Sequence, residues 1–179
     1  MTFEKTSRNI VRFLRHDASA SRDPAGYVPV WYICHLFSIT RDMLMYIVCH
    51  VAGDRLNLSD CQQFVRTCGG HSTDDIDITR IGKLITDPRD VRYCVHGTTR
   101  AAYEEIKVHG LSRRNRQMIH FADTKTLVKK NSEVLIHLDV KRYLAKGRPL
   151  YRLRNGTLAT PGNVKGMVKT SFFHRVQFL

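Results

Sequence analysis

The stretch LYRLRNGTLAT, residues 150–160, limits the fold more than any other. Asn155-Gly156 is a turn dipeptide, and both of its flanks read as strands, so the segment closes on itself as an antiparallel hairpin. The second half of the chain must therefore hold a sheet. Runs at 91–95, 117–122, 133–140 and 149–153 supply strand candidates for it, and a helix is predicted over Thr99–His109, ended by Gly110.

The first half has a different period. Ile10, Val11, Phe13 and Leu14 recur at helical spacing between Arg8, Arg12 and Arg15, which predicts a short amphipathic helix over Ser7–His16 with Thr6 or Ser7 as its cap. Met43, Leu44, Ile47, Val48 and Val51 form an apolar stripe, so Thr40–Val51 reads as a core helix. GYVPV, residues 26–30, suits an edge strand because Pro29 cannot donate to a ladder. Two short strands around turns fit the region from Arg55 to Gly70. The sequence is thus of the α+β class. Helices followed by a small hairpin predict a winged-helix RNA-binding lobe over residues 1–88, and the acidic, Gly- and Pro-containing stretch 74–90 separates it from a second lobe over 89–179.

Composition narrows the setting. At 179 residues and 42% hydrophobic the chain can bury real cores, and no run reaches the roughly 18 apolar residues of a membrane span. The charged start, MTFEKTSRN, lacks a secretory apolar block, so the expected location is intracellular, cytoplasmic or nuclear. Five cysteines without a C-x-x-C pair point to reduced thiols, neither a disulfide framework nor a zinc site. A net charge of +13 favours a polyanionic partner, above all nucleic acid. The expected oligomeric state is a monomer.

No phosphate-binding loop, dinucleotide fingerprint, H-E-x-x-H or nucleophile elbow occurs. What remains is arginine and histidine beside small residues: Arg15-His16, Arg66 with Gly69-Gly70-His71-Ser72, His96-Gly97-Thr98, and Arg116 with His120. Arginine pairs bidentately with phosphate, histidine donates near neutral pH, and glycine lets backbone amides approach an anion. Taken singly, each histidine reads more readily as structural and each arginine as a solvated charge.

The order of these segments is more specific. LRH at 14–16, GY-V at 26–30, VRTCGGHS at 65–72, VHGTT at 95–99, EEIKVHGL at 104–111, RQMIHF at 116–121, VLIHLDVKRYLAKG at 134–147 and LYRLRNGTLAT at 150–160 resemble the tRNA 2'-phosphotransferase family across nearly the whole chain. The resemblance implies a winged-helix RNA lobe followed by an ADP-ribosyltransferase-like NAD lobe. It implies removal of an internal 2'-phosphate from RNA, chiefly tRNA, with NAD+ as acceptor and no metal. The phosphate would attack the nicotinamide ribose to give an ADP-ribosylated RNA phosphate; its collapse would yield 2'-OH RNA and ADP-ribose 1'',2''-cyclic phosphate. Carried over position by position, the catalytic set is Arg15, His16, Arg66 and Arg116. His71, Ser72, His96, Gly97, Thr98 and His120 are the cofactor-binding set. The chain departs from the family pattern at Ala18, Gly69 and Met118, which bears on cofactor fit and RNA preference. Two other readings stand beside this one: ADP-ribose transfer to terminal phosphates of RNA or DNA, and RNA binding without catalysis.

Overall fold

A computed structural model describes residues 2–73 and 75–179. The chain divides into two compact units, Met1–Ile81 and Gly82–Leu179.

In the first unit, helix α1 (Phe3–His16) starts earlier than its periodicity predicts, because Thr2 is the cap and its hydroxyl accepts from the Lys5 amide at 3.4 Å. Thr6 and Ser7, read as caps, lie buried inside the helix. Strand β1 (Val28–Pro29) runs directly into helix α2 (Val30–Phe37). The sequence reading does not assign α2, since VWYICHLF has no polar face to define a period. Helix α3 (Arg41–Tyr46) is capped by Thr40, whose hydroxyl accepts from Met43 at 3.2 Å, and it continues into a π-helical turn, Ile47–Val51. Strands β2 (Leu56–Leu58) and β3 (Phe64–Thr67) complete an antiparallel sheet in the order β1-β3-β2, with Val28 opposite Val65 and Asn57 opposite Arg66. Ile10, Leu14, Ile33, Leu44 and Ile47 pack on this sheet as one core. A single turn, α4 (Ile78–Ile81), ends the unit.

The second unit begins with strand β4 (Gly82–Leu84), which pairs with β9 (Tyr151–Leu153). That pairing puts the division at 81/82 instead of near residue 88. A β-carbon at Gly82 would lie 2.9 Å from that of Tyr151, so the two strands approach closely there. Strand β5 is Val95–Thr98, shifted from the expected 91–95, because these four residues stand in register with β8, while before them only the Cys94 carbonyl reaches that strand, accepting from the Leu138 amide at 2.9 Å. Helix α5 (Arg100–His109) has Thr99 as cap and Gly110 at its end. Then come β6 (Leu111–Ser112), β7 (Ile119–Phe121) and β8 (Val134–Leu138). Helix α6 (Val140–Ala145), started by the Asp139 carboxylate on the Arg142 amide at 2.9 Å, follows β8 and takes residue 140 out of the predicted strand. Strands β10 (Leu158–Thr160), β11 (Met167–Val168) and β12 (Phe173–Phe178) finish the chain.

The predicted hairpin is β9–β10, with Leu158 opposite Arg152. Gly156 takes φ +79° while Asn155 does not, so the turn is a three-residue loop with glycine at its left-handed position. The sheets run β4-β9-β10-β7, β12-β8-β5 and β11-β6. A bridge between Val95 and Ala122 joins β5 to the end of β7. Ile119, Phe121, Ile136, Tyr143, Leu150 and Leu158 form the second core. Among the described residues no single helix is long and apolar enough to cross a membrane.

Ile136 is fully buried at the centre of this core. Ile136→Ala is expected to cost about 2–5 kcal/mol, read from the midpoint of a urea unfolding curve.

Candidate functional site

The first unit gathers Arg15, His16, Arg66, His71 and Ser72 around the end of α1 and the turn after β3. The Ser72 amide donates to the Arg15 carbonyl at 3.0 Å, and the Ser72 hydroxyl lies 3.0 Å from His16 Nδ1. Two contacts thus hold the end of α1 and a residue 56 positions beyond His16 in one place. Gly70 takes φ +85°, and a β-carbon there would sit 3.2 Å from Arg15 Nε and 3.3 Å from its Cζ. The glycine therefore makes room for the Arg15 guanidinium as well as for the turn.

Arg66, on β3, donates through Nη1 to the carbonyls of Ala25 at 2.9 Å and Arg80 at 3.3 Å, and its Cζ lies 4.5 Å over the Tyr27 ring. Carbonyls on one edge and an aromatic face below fix the plane of the guanidinium. Among the described residues only Nη1 of its donors is engaged, so Nε and Nη2 are available to an anion.

His71 was expected at the cofactor. It is only 2% exposed, and its Nε2 lies 2.8 Å from the Thr67 hydroxyl, so the ring is turned into the fold. Burial, and then the charges of Arg15 and Arg22, hold it down to about 4, so it is neutral at physiological pH. Its place is beneath the turn that carries Ser72.

Arg22 escapes the sequence reading because it lies in a loop without pattern. Its side chain is 1% exposed. Nη1 donates to the carbonyls of Asp17 at 2.9 Å and Leu14 at 3.4 Å, Nη2 to the Thr73 hydroxyl at 3.2 Å, and Nε to Asp75 at 2.9 Å. It therefore closes the negative end of α1 and ties that end to the segment after Ser72. The only sequence signal for it is an arginine shortly after a helix end.

In the second unit, His96 on β5 and His120 on β7 belong to one cluster. His96 Nδ1 lies 2.9 Å from the His120 carbonyl, which only accepts, so Nδ1 carries the proton. Burial, opposed by that bond and assisted by Lys129, Arg114 and Arg116, lowers the His96 pKa. The neutral ring then offers Nε2 as an acceptor, while Phe121 meets it edge to face at 6.0 Å. Gly97 is required by packing: a β-carbon there would lie 2.2 Å from Ser132 Oγ and 3.2 Å from Val128. Thr98 is half-buried, opposite Val134, and its carbonyl accepts from Glu133 at 2.8 Å. Arg116 is exposed on a turn. Met118 is 6% exposed, so this departure from the family pattern is an interior side chain. Among the described residues no group of His, Cys, Asp and Glu is placed to hold a metal.

The second unit thus sets two histidines on neighbouring strands, and the first bonds the end of α1 to the glycine-rich turn after β3. The family model described as RNA 2'-phosphotransferase, Tpt1 / KptA family, matches residues 2–162, and the chain belongs to that family. It is 28% identical to tRNA 2'-phosphotransferase 1 of Danio rerio, over 78% of this chain and 63% of that one. A putative tRNA 2'-phosphotransferase of Schizosaccharomyces pombe is 27% identical over 96% of this chain and 50% of its own. A probable RNA 2'-phosphotransferase of Pectobacterium atrosepticum is 26% identical over 84% of this chain and 88% of its own. The chain thus spans between half and two thirds of the two eukaryotic relatives.

Two outcomes are expected. Since the folded pKa of His71 lies below the ordinary 6.5, the unfolded chain takes the proton first, and this contribution to stability is lost as pH falls from about 6.5 to about 4. The free energy of unfolding, read from urea curves at each pH, should fall across that window by up to about 3 kcal/mol, and His71→Gln should flatten the fall. Arg22→Met strips four bonds from two segments and should lower the melting temperature more than Arg89→Met, whose arginine pairs with Asp87 at the surface, in the same scan.

Proposed function

We propose that this protein is an NAD-dependent RNA 2'-phosphotransferase that removes an internal 2'-phosphate from RNA, with tRNA as the substrate that its relatives' names favour. The observation that carries the reading is the attachment of Arg15 and His16 to Ser72, since it assembles dispersed family motifs into one polar cluster. NAD+ supplies an electrophilic ribose carbon with nicotinamide as the leaving group.

The chain's own residues do the rest. Arg66, held flat between carbonyls and Tyr27, offers Nε and Nη2 to non-bridging phosphate oxygens. Arg15 adds a second guanidinium, and His16 exchanges a proton with the phosphate while Ser72 orients its ring. In the second unit the exposed Arg116 is the fourth residue of the proposed catalytic set. His96, with Nδ1 spent on the His120 carbonyl, fits NAD through Nε2 as acceptor of a ribose hydroxyl. Gly97 and Thr98 shape the strand beside it, and His120 sets the His96 tautomer.

The first unit's order of helix, strand, two helices and two strands, with the sheet β1-β3-β2, supports a winged-helix lobe whose wing is the β2–β3 hairpin. The antiparallel sheets that carry His96 and His120 support an ADP-ribosyltransferase-like lobe. Five free thiols support an intracellular setting.

The test is to incubate the full chain with NAD+ and a short RNA bearing one internal 2'-phosphate. Nicotinamide, 2'-OH RNA and ADP-ribose 1'',2''-cyclic phosphate should appear together. Arg66→Ala and Arg116→Ala should each lower turnover by about 100-fold or more with the circular dichroism unchanged. Retention of the 2'-phosphate by the unmodified protein would exclude the reading.

A further inference from the structure

The charge of this chain is not spread over it. Gly82–Leu179 carries twenty of the twenty-nine Lys and Arg residues and seven of the sixteen acids, while Met1–Ile81 carries nine of each. The whole excess of +13 therefore belongs to the second unit, and the first is neutral. A helical lobe with a wing would ordinarily be credited with the electrostatic hold on a polyanion, but the field lies elsewhere.

Two loops concentrate that field. In the turn after β6, Arg113 is spent internally: its Nη1 donates to the Arg116 carbonyl at 2.8 Å, its amide donates to Gly166 at 2.9 Å, and its side chain fills the space a β-carbon at Gly166 would need. This anchor turns Arg114 and Arg116 outward, with Arg114 held at φ +52°, a left-handed conformation uncommon for a long side chain. The second loop, between β7 and β8, is pinned by Val128 and Ser132 packing over Gly97, by the Ser132 amide on the Lys129 carbonyl at 3.1 Å, and by the Glu133 amide on Thr98. It presents Lys125, Lys129 and Lys130 to solvent beside the strand that carries His96.

Counter-charges are engaged elsewhere. Asp123 pairs with Arg152, Glu133 accepts from the Arg100 amide, and Asp139 caps α6. Among the described residues no carboxylate forms an ion pair with Arg114, Arg116, Lys125, Lys129 or Lys130. We infer that these two loops form the docking face for the RNA phosphate backbone, so that the second unit, not the winged-helix lobe, supplies the electrostatic affinity for RNA.

The depression of the His96 pKa by Lys129, Arg114 and Arg116 agrees, since it requires cations of both loops to act on one ring. A dinucleotide pyrophosphate carries about two charges and is outnumbered by five cations. Exposed lysines act as mobile point charges, which suits successive phosphates on a strand better than one fixed group. The inference rests on RNA being the substrate, but its test reads binding and not turnover.

The experiment measures anisotropy of a fluorescent single-stranded RNA without a 2'-phosphate, titrated with the full chain at several salt concentrations. The comparison is a triple variant, Arg114→Asn, Lys129→Ala and Lys130→Ala, in which asparagine tolerates the left-handed backbone. Each lost phosphate contact should reduce the salt slope by about 0.7, so the triple variant should lose about 2 from its slope and roughly 10- to 100-fold in affinity at low salt. NAD+ affinity by calorimetry should be unchanged, and Arg8→Ala with Arg12→Ala, on the exposed face of α1, should leave the slope intact. An unchanged slope in the triple variant overturns the inference. So does a loss of NAD+ affinity with RNA binding retained, which would assign the cations to the dinucleotide, and so does a larger loss in the α1 variant. If the triple variant does not fold by circular dichroism, the double variant Lys129→Ala, Lys130→Ala decides by the same criteria, with about 1.4 expected from the slope.

Discussion

A single buried guanidinium holds the first unit's chemistry in register. Arg22 takes the carbonyl of Leu14 in the last turn of α1, that of the cap residue Asp17, and two oxygen partners from residues 73 and 75, so the helix that ends in Arg15-His16 and the turn that begins with Gly70 are bonded through one planar group. A guanidinium suits this role because five donors in a rigid fork can bridge segments that one hydroxyl or ammonium cannot. Its charge is met by Asp75 and by the negative end of a helix. With α1 so fixed, the His16–Ser72 contact and the fit of Gly70 against Arg15 follow.

The second unit solves a related problem with backbone instead of charge. Val95 and Ala122 exchange amide bonds at 3.1 and 2.7 Å, and this brings the His120 carbonyl within reach of His96. The bond settles which ring nitrogen holds the proton, and burial among Phe121 and its neighbours keeps the ring neutral. Polarity is thereby set by strand pairing, which side-chain substitutions nearby disturb little.

Much of this was legible in the residues. The 155–156 turn, the Thr99–Gly110 helix and the stripe from Met43 to Val51 carry their own punctuation, and each stands within a residue or a few of where the pattern puts it. Helix α2 was not legible, because His35 is the one clearly polar residue among eight and cannot by itself mark a period. The start of β5 was misplaced because Val91 and Cys94 are apolar like strand residues, yet the register with β8 begins only at Val95, which is a tertiary fact. Within the candidate site, motif order singled out Arg15, His16, Arg66 and Ser72. It could not tell that His71 faces inward or that Gly97 serves Ser132, since both depend on what packs against them. Arg22 carries little local signal beyond its place after a helix end: its partners lie at positions 14, 17, 73 and 75.

Strand β12 lies beyond residue 162, where the family match ends, yet it pairs with β8 from Phe173 opposite Leu138 to Phe178 opposite Val134. Strand β8 is the middle of its sheet only because of that partner. A chain cut at the family boundary would turn Val134-Leu135-Ile136 into an open, apolar sheet edge, the kind of template on which copies add to one another. The final segment is therefore a cover for the sheet that bears His96, and its removal would show first as loss of solubility, before any chemistry is measured.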